Sequence, residues 1–177
     1  MTDIRSDFLQ GMSLAASTVN IVTTDGPHGK AGVTVSAMTS VSADGARPVL
    51  LVCINQACSG AGPIIANGVF AVNVLRENQA AISDTFAGRL GERGEGRFDC
   101  AHWTRSETGV PMLADALVAF DCRLLDQQMI GTHHVLFGSV EAVQLSTPGK
   151  PLIYANRSYA VPAELGPDSV LAAGSRH

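Results

Sequence analysis

Hydrogen-bonding side chains are concentrated in one uncharged stretch, Gly32-Val33-Thr34-Val35-Ser36-Ala37-Met38-Thr39-Ser40-Val41-Ser42. Thr34, Ser36, Met38, Ser40 and Ser42 share one parity, and Val33, Val35, Ala37 and Val41 the other. At strand spacing this sets an apolar face on a core and a row of hydroxyls opposite it. A solvated strand face ordinarily carries Lys, Glu or Arg, and this one has none. A neutral row of this kind suits a flat polar ligand read by hydrogen bonds. It also suits an edge or interface strand built from small polar residues.

Further candidates lie at predicted strand ends. His133 and His134 follow Gly131-Thr132 at the start of a strand, so they point to opposite faces and do not chelate a metal together. His133, just after the turn at a rim, is placed to donate to a carboxamide or phosphate, or to be a solvated imidazole. Asn55 ends an apolar run as a small-residue loop begins, Gln56-Ala57-Cys58-Ser59-Gly60. Amides in such a loop, with Ser59 nearby, can form an anion nest, or the loop is an ordinary Asn/Ser turn. Arg97-Phe98 and Arg157-Ser158-Tyr159 are the local cation-aromatic pairs. Cys53 and Cys122 fall within strands and read as small core hydrophobes, and the four cysteines lack the paired spacing of a zinc site. There is no dinucleotide fingerprint, phosphate loop or nucleophile elbow.

These residues need elements to hold them. Ser6 to Ala16 is predicted as an amphipathic helix with Phe8, Leu9 and Met12 on one stripe and Ser6 or Asp7 as cap. Val19 to Thr24 reads as a strand, and Val49 to Asn55 as a central strand apolar on both faces. Pro63 opens a short helix that Gly68 closes. Phe70 to Leu75 is a strand, Asn78 to Ala87 a helix, and Gly88 to Arg97 a charged, Gly-rich mobile loop. Strands over Ala116–Asp126, Thr132–Leu145 and Pro151–Ala155 follow, giving roughly seven strands with few long helices. That pattern predicts a mainly β protein, an antiparallel barrel with peripheral helices. The segment 1–162 is expected to form one domain and 163–177 a loosely ordered tail.

Composition limits the functional classes. With 16% charged and 46% hydrophobic residues, polar cover is scarce, which favours burial of part of the surface in an oligomer. A net charge of -4 gives no basic stripe for nucleic acid. Apolar runs are too short to span a membrane, no signal peptide is evident, and free thiols suit the cytoplasm.

The ordered set of these stretches resembles the short-chain flavin reductases of two-component flavin monooxygenases, as in the reductase component of 4-hydroxyphenylacetate 3-monooxygenase. The pieces are Phe8 through Met12, Val19 through Gly26, Gly32 through Val41, Leu51 through Asn55, Ala71 through Leu75, Phe86-Ala87-Gly88, Arg97-Phe98, Ile130 through His133, and Leu152-Ile153-Tyr154 with Arg157 and Tyr159. The resemblance implies an FMN-binding split β-barrel, a homodimer, and hydride transfer from NADH or NADPH to free FMN or FAD. Reduced flavin would then pass to a partner monooxygenase. By the same resemblance Thr34, Val35, Ser36, Ala37 and Met38 line the flavin ring and ribityl chain. Ser40, Asn55, Gln56 and Ala57 reach the phosphate, and Phe86 borders the site. His133 and Tyr159 face the nicotinamide, with no metal and no catalytic acid or base. Ala57-Cys58 and Ala155-Asn156 depart from the family pattern. A flavin-tethered reductase of a metal acceptor and a non-catalytic flavin-binding module are the alternatives.

Overall fold

The computed structural model describes residues 3–166. Helix α1 (Ile4–Leu14) leads into β1 (Ser17–Thr18), β2 (Asn20–Thr24), β3 (Ala31–Val35), β4 (Met38–Ser42) and β5 (Val49–Asn55). Next come α2 (Ala61–Asn67), β6 (Val69–Val74), α3 (Ala80–Phe86) and a 3-10 turn (Gly94–Cys100). The chain continues through β7 (Trp103–Arg105), β8 (Pro111–Leu113), the long pair β9 (Val118–Ile130) and β10 (His133–Leu145), and the short pair β11 (Ile153–Ala155) and β12 (Ser158–Ala160). The main sheet is seven-stranded and antiparallel, in the order β3-β2-β6-β9-β10-β5-β4.

That order accounts for a correction to the reading of Gly32–Ser42. The stretch is two strands, and they lie at opposite edges of the sheet. Ser36 and Ala37 carry the chain from one edge to the other, so the sheet must curl until its edges approach. Ala37 already belongs to the β4 side of the gap: its carbonyl accepts from the Cys53 amide at 3.1 Å and extends the β4–β5 ladder by one residue. Parity inverts at this break, because a change in the count between strands swaps the faces. Val41, expected on the core face, is therefore exposed, and Met38, expected among the hydroxyls, packs against the core.

Both faces of the middle strands are covered. Val22, Phe70 and Val72 join Val33, Leu50, Val52, Ile54, Ile64 and Leu136 in one core. Their neighbours Ile21 and Ala71 join Phe86, Phe98, Val110, Leu113 and Leu152 in a second core. The strands apolar on both sides are thus β2 and β6. In β5 only Leu50, Val52 and Ile54 are buried, and Leu51 and Cys53 are half-buried, because β5 lies one strand from the edge. Cys53 is therefore not a core residue, whereas Cys122 is.

Local chemistry sets the element ends. Asp3 caps α1 by accepting from the Arg5 amide at 3.2 Å, ahead of the expected Ser6 or Asp7. The apolar stripe of α1 finds no core: Phe8 is 64% exposed and Met12 52%. Gly68 closes α2 in the left-handed conformation, at φ 67°. The segment expected to be a mobile loop is half ordered: Gly94–Cys100 forms the 3-10 turn and buries Phe98 against Phe86 and Trp103. The region from Trp103 to Leu113, for which no strand is expected from the sequence, forms the β7–β8 hairpin. Residues 163–166 are exposed and outside any strand or helix, and the rest of the expected tail lies outside the described residues.

Buried polar groups lock the second core. Asn73 donates to the Ile21 carbonyl at 3.0 Å and to Thr23 Oγ1 at 3.2 Å, and accepts from the Leu113 amide at 2.8 Å. Asp121 is fully buried, and its carboxylate accepts from the Thr108 amide at 3.0 Å and the Thr108 hydroxyl at 2.5 Å. Removing such an acceptor leaves a buried donor unpaired. Asp121→Ala should lower the unfolding free energy by about 1–3 kcal/mol with an unchanged denaturant slope. Urea melts read this directly, and a midpoint equal to that of the parent protein would show the carboxylate to be dispensable.

Candidate functional site

A groove runs along β3, whose outer edge pairs with no other strand among the described residues. Its middle is the wall Thr34-Val35-Ser36. From there one arm passes Ser83, Ala87 and Arg89 to Tyr154 and Tyr159. A second arm, of about 420 Å³, passes Gly32 and Phe86 to the loop Ala57-Cys58-Ser59-Gly60 and Arg97. A third reaches Ala37, Cys53, Asn55 and His133. All three arms share Thr34.

Packing gives the groove its floor. A Cβ on Gly32 would lie 2.5 Å from the Phe86 ring, so only glycine lets that ring seat beneath the wall. Phe86 is held edge-to-face by Phe98 at 5.1 Å and Trp103 at 5.5 Å between centroids. Gly60 approaches Gly32 closely as well: a Cβ there would stand 3.2 Å from the Gly32 carbonyl oxygen. The small-residue loop and the wall are thereby brought together.

Several expected hydroxyls and amides are already engaged. Thr34 donates to the Ser83 carbonyl at 2.7 Å, which pins the wall to α3. Asn55 Oδ1 accepts from the Ala57 amide at 2.9 Å, and the Asn55 carbonyl accepts from the Cys58 amide at 3.0 Å. Asn55 thus shapes the loop, and the Ala57 amide is not free for an anion. Ser36 is exposed on the wall. Thr132 Oγ1 lies 3.1 Å from Nδ1 of the exposed His133, steadying the imidazole at the groove mouth.

Of the residues named from the sequence, the groove gathers Thr34, Val35, Ser36, Ala37, Asn55, Ala57, Phe86, His133 and Tyr159. Met38 packs toward the core, Ser40 is exposed on β4 opposite Leu50, and Gln56 is exposed, so these three do not line it. Residues given no site role from the sequence also line it: Gly32, Ser83, Arg89 and Tyr154. Arg89 lies in the Gly88–Arg97 run expected to be a mobile surface loop. Burial raises the pKa of the Cys53 thiol, so it stays protonated and offers the groove no thiolate.

One end of the groove is latched. The Tyr159 hydroxyl donates to Asp84 Oδ1 at 2.7 Å and lies 2.9 Å from Ser83 Oγ, and Arg89 donates to the same Asp84 oxygen at 2.7 Å. This fastens the β11–β12 hairpin to α3. Its two-residue turn, Asn156-Arg157, has both φ values positive, the geometry of a tight hairpin turn.

The fold and groove define a flavin-reductase scaffold, and the chain belongs to that family: the flavin reductase like domain matches residues 12–162. It is 44% identical to the FMN reductase (NADH) RutF of Methylorubrum populi, over 87% of this chain and 74% of that protein. A crystal structure provisionally identified as a flavin reductase of Haemophilus somnus superposes with TM-score 0.83 at 38% identity, covering 91% of this chain and all of that one. A homologue of nitrilotriacetate monooxygenase component B from Mycobacterium thermoresistibile superposes with TM-score 0.79 at 26% identity, covering 93% of this chain and 94% of that one.

The latch has a pH signature. Burial, first, raises the Tyr159 pKa, with the Asp84 carboxylate acting in the same direction. A phenol whose folded pKa lies above its unfolded value of about 10 stabilises the fold below that pH. The contribution is lost as pH rises through the raised value. Tyr159→Phe should therefore flatten the alkaline fall in stability relative to the parent protein. Identical alkaline limbs in thermal melts would remove Tyr159 from the latch.

Proposed function

We propose that this protein is an NAD(P)H-dependent flavin reductase that reduces FMN or FAD and supplies reduced flavin to a flavin-dependent monooxygenase. The observation that carries this reading is the groove whose neutral wall is the edge of β3 left unpaired among the described residues, with His133 and Tyr159 on two arms and the small-residue loop with Arg97 on the third. A strand edge offers unpaired backbone donors and acceptors in a row, which fits the polar rim of a flat heterocycle. Gly32 and Gly60 let Phe86 and the small-residue loop pack close against the wall that would carry that ring, and Ser59 with Arg97 suits a flavin phosphate. The names borne by the Methylorubrum and Mycobacterium relatives support the same chemistry and the same kind of partner.

A bound flavin would supply, at N5, the acceptor for a hydride given up by C4 of the reduced nicotinamide. The chain's own residues bind, orient and exclude water, and no side-chain acid or base is needed. Thr34, anchored to Ser83, sets the height of the wall. Ala37, anchored by Cys53, sets its far end. His133 meets the nicotinamide carboxamide at the mouth, and Tyr159 closes the opposite side. The protein acts as a homodimer: the exposed stripe of α1 and the projecting ends of β9 and β10, where Leu125 and Ile130 are exposed, call for cover by a second copy. No helix among the described residues is long and apolar enough to cross a membrane.

Steady-state oxidation of reduced nicotinamide, with and without added free flavin, tests the reading. Saturable dependence on FMN or FAD is expected, and no dependence on either would overturn it. His133→Ala should raise KM for the reduced nicotinamide about tenfold and leave KM for flavin within about twofold, the loss of roughly one charge-assisted or neutral hydrogen bond. An unchanged nicotinamide KM would take His133 out of the site.

A further inference from the structure

The groove does not end at the small-residue loop. Beyond it lies a second cavity, of about 380 Å³, lined by Lys30, Ser59, Pro63, Arg93, Gly94 and Arg97 among others. It shares Gly32, Ser59 and Arg97 with the loop arm, so the two spaces adjoin. Three of the chain's 12 Lys and Arg residues converge here, although the net charge is -4. No carboxylate lines this cavity among its described lining residues, and Glu92 and Glu95 of the same loop stay outside it. The ion pairs among the described residues join Arg47 to Glu141, Arg89 to Asp84 and Arg105 to Asp25, and none includes a cation of this corner.

The corner is also held in shape. Lys30 Nζ sits 4.1 Å from the centroid of the buried Phe98 ring. Arg97 spends its Nε on the Glu92 carbonyl at 3.1 Å, which keeps its terminal nitrogens for another acceptor. Three uncompensated cations around one small space repel one another, and an anion with more than one charged centre relieves that.

We propose that Lys30 and Arg93 form a subsite for the second phosphate of FAD, next to the place where Ser59 and Arg97 receive the first. The proposal rests on the flavin-reductase reading and deepens it, because it makes the dinucleotide flavin the better ligand. FMN has a single phosphate and leaves Lys30 and Arg93 unpaired. FAD carries a diphosphate, and its second phosphate enters the adjoining cavity. Arg97, which lines both spaces, bridges the two. FAD affinity should therefore fall more steeply with ionic strength than FMN affinity.

The test compares FMN and FAD as substrates for the parent protein, Arg93→Gln and the double variant Lys30→Gln/Arg93→Gln. Arg93 is exposed, so its single substitution keeps the fold even if the double variant is damaged. The double variant should raise KM for FAD about fivefold, the scale of two partly exposed ion pairs, with KM for FMN within about twofold. In the parent protein, added salt should raise KM for FAD more than KM for FMN. A parallel rise for both flavins would assign these cations to the first phosphate and overturn the proposal. A rise in KM for the reduced nicotinamide alone would overturn it too. Fluorescence titration with FMN and FAD measures the same discrimination without turnover. Failure of the reductase reading would thus appear as absent nicotinamide oxidation, and failure of this one as equal effects on the two flavins.

Discussion

Among the described residues the outer edge of β3 has no strand partner, and the rest of the fold is arranged around that gap. In a seven-stranded antiparallel sheet the two edge strands are ordinarily far apart. Here they are consecutive in the chain, and Ser36 and Ala37 are all that joins them. So short a link forces the sheet to curl, yet β3 and β4 do not pair with each other. The barrel is split at this seam. Backbone groups that would otherwise complete a ladder face a groove, where a ligand can satisfy them.

An open edge collapses or aggregates unless something supports it. Support comes from below, through the Phe86, Phe98 and Trp103 cluster, and from the side, through α3. Gly32 lets Phe86 reach the wall, Thr34 bonds to the Ser83 carbonyl, and the Asp84–Tyr159 contact adds the β11–β12 hairpin to the same helix. Helix α3 therefore joins the second core to the groove. A change in its packing is passed to the wall through Thr34 and to the groove lining through Ser83 and Phe86.

The charge distribution follows the same division. A neutral wall suits the proposed function, since ring recognition and hydride transfer need a fixed distance and a dry surface more than they need a titrating group. The charges are placed at the ends of the arms. Arg89 is compensated by Asp84, whereas Lys30, Arg93 and Arg97 are not compensated by any lining carboxylate. One end is thus a structural latch, and the other is where the proposed anion subsite lies.

Much of this was legible in the chain alone. Alternation and turn residues located β2, β5, β6 and the β9–β10 hairpin to within a few residues, since period-two burial and Gly or Pro punctuation are local properties. The uncharged run at Gly32–Ser42, the Asn55 loop and His133 were visible as candidates for the same reason. The break at Ser36-Ala37 was not, because its cause is which strands become neighbours, and no local pattern records that. Val41 and Met38 consequently exchanged faces. Ser40 and Gln56 fell outside the groove, while Arg89, Lys30 and Arg93, widely separated in sequence, came to line its ends. The sequence by itself determined the residue types, the strand periodicity and the neutrality of the wall, which depend on neighbours along the chain. The tertiary structure alone decided which side chains converge, because sheet order and curl are set by contacts between residues far apart in sequence.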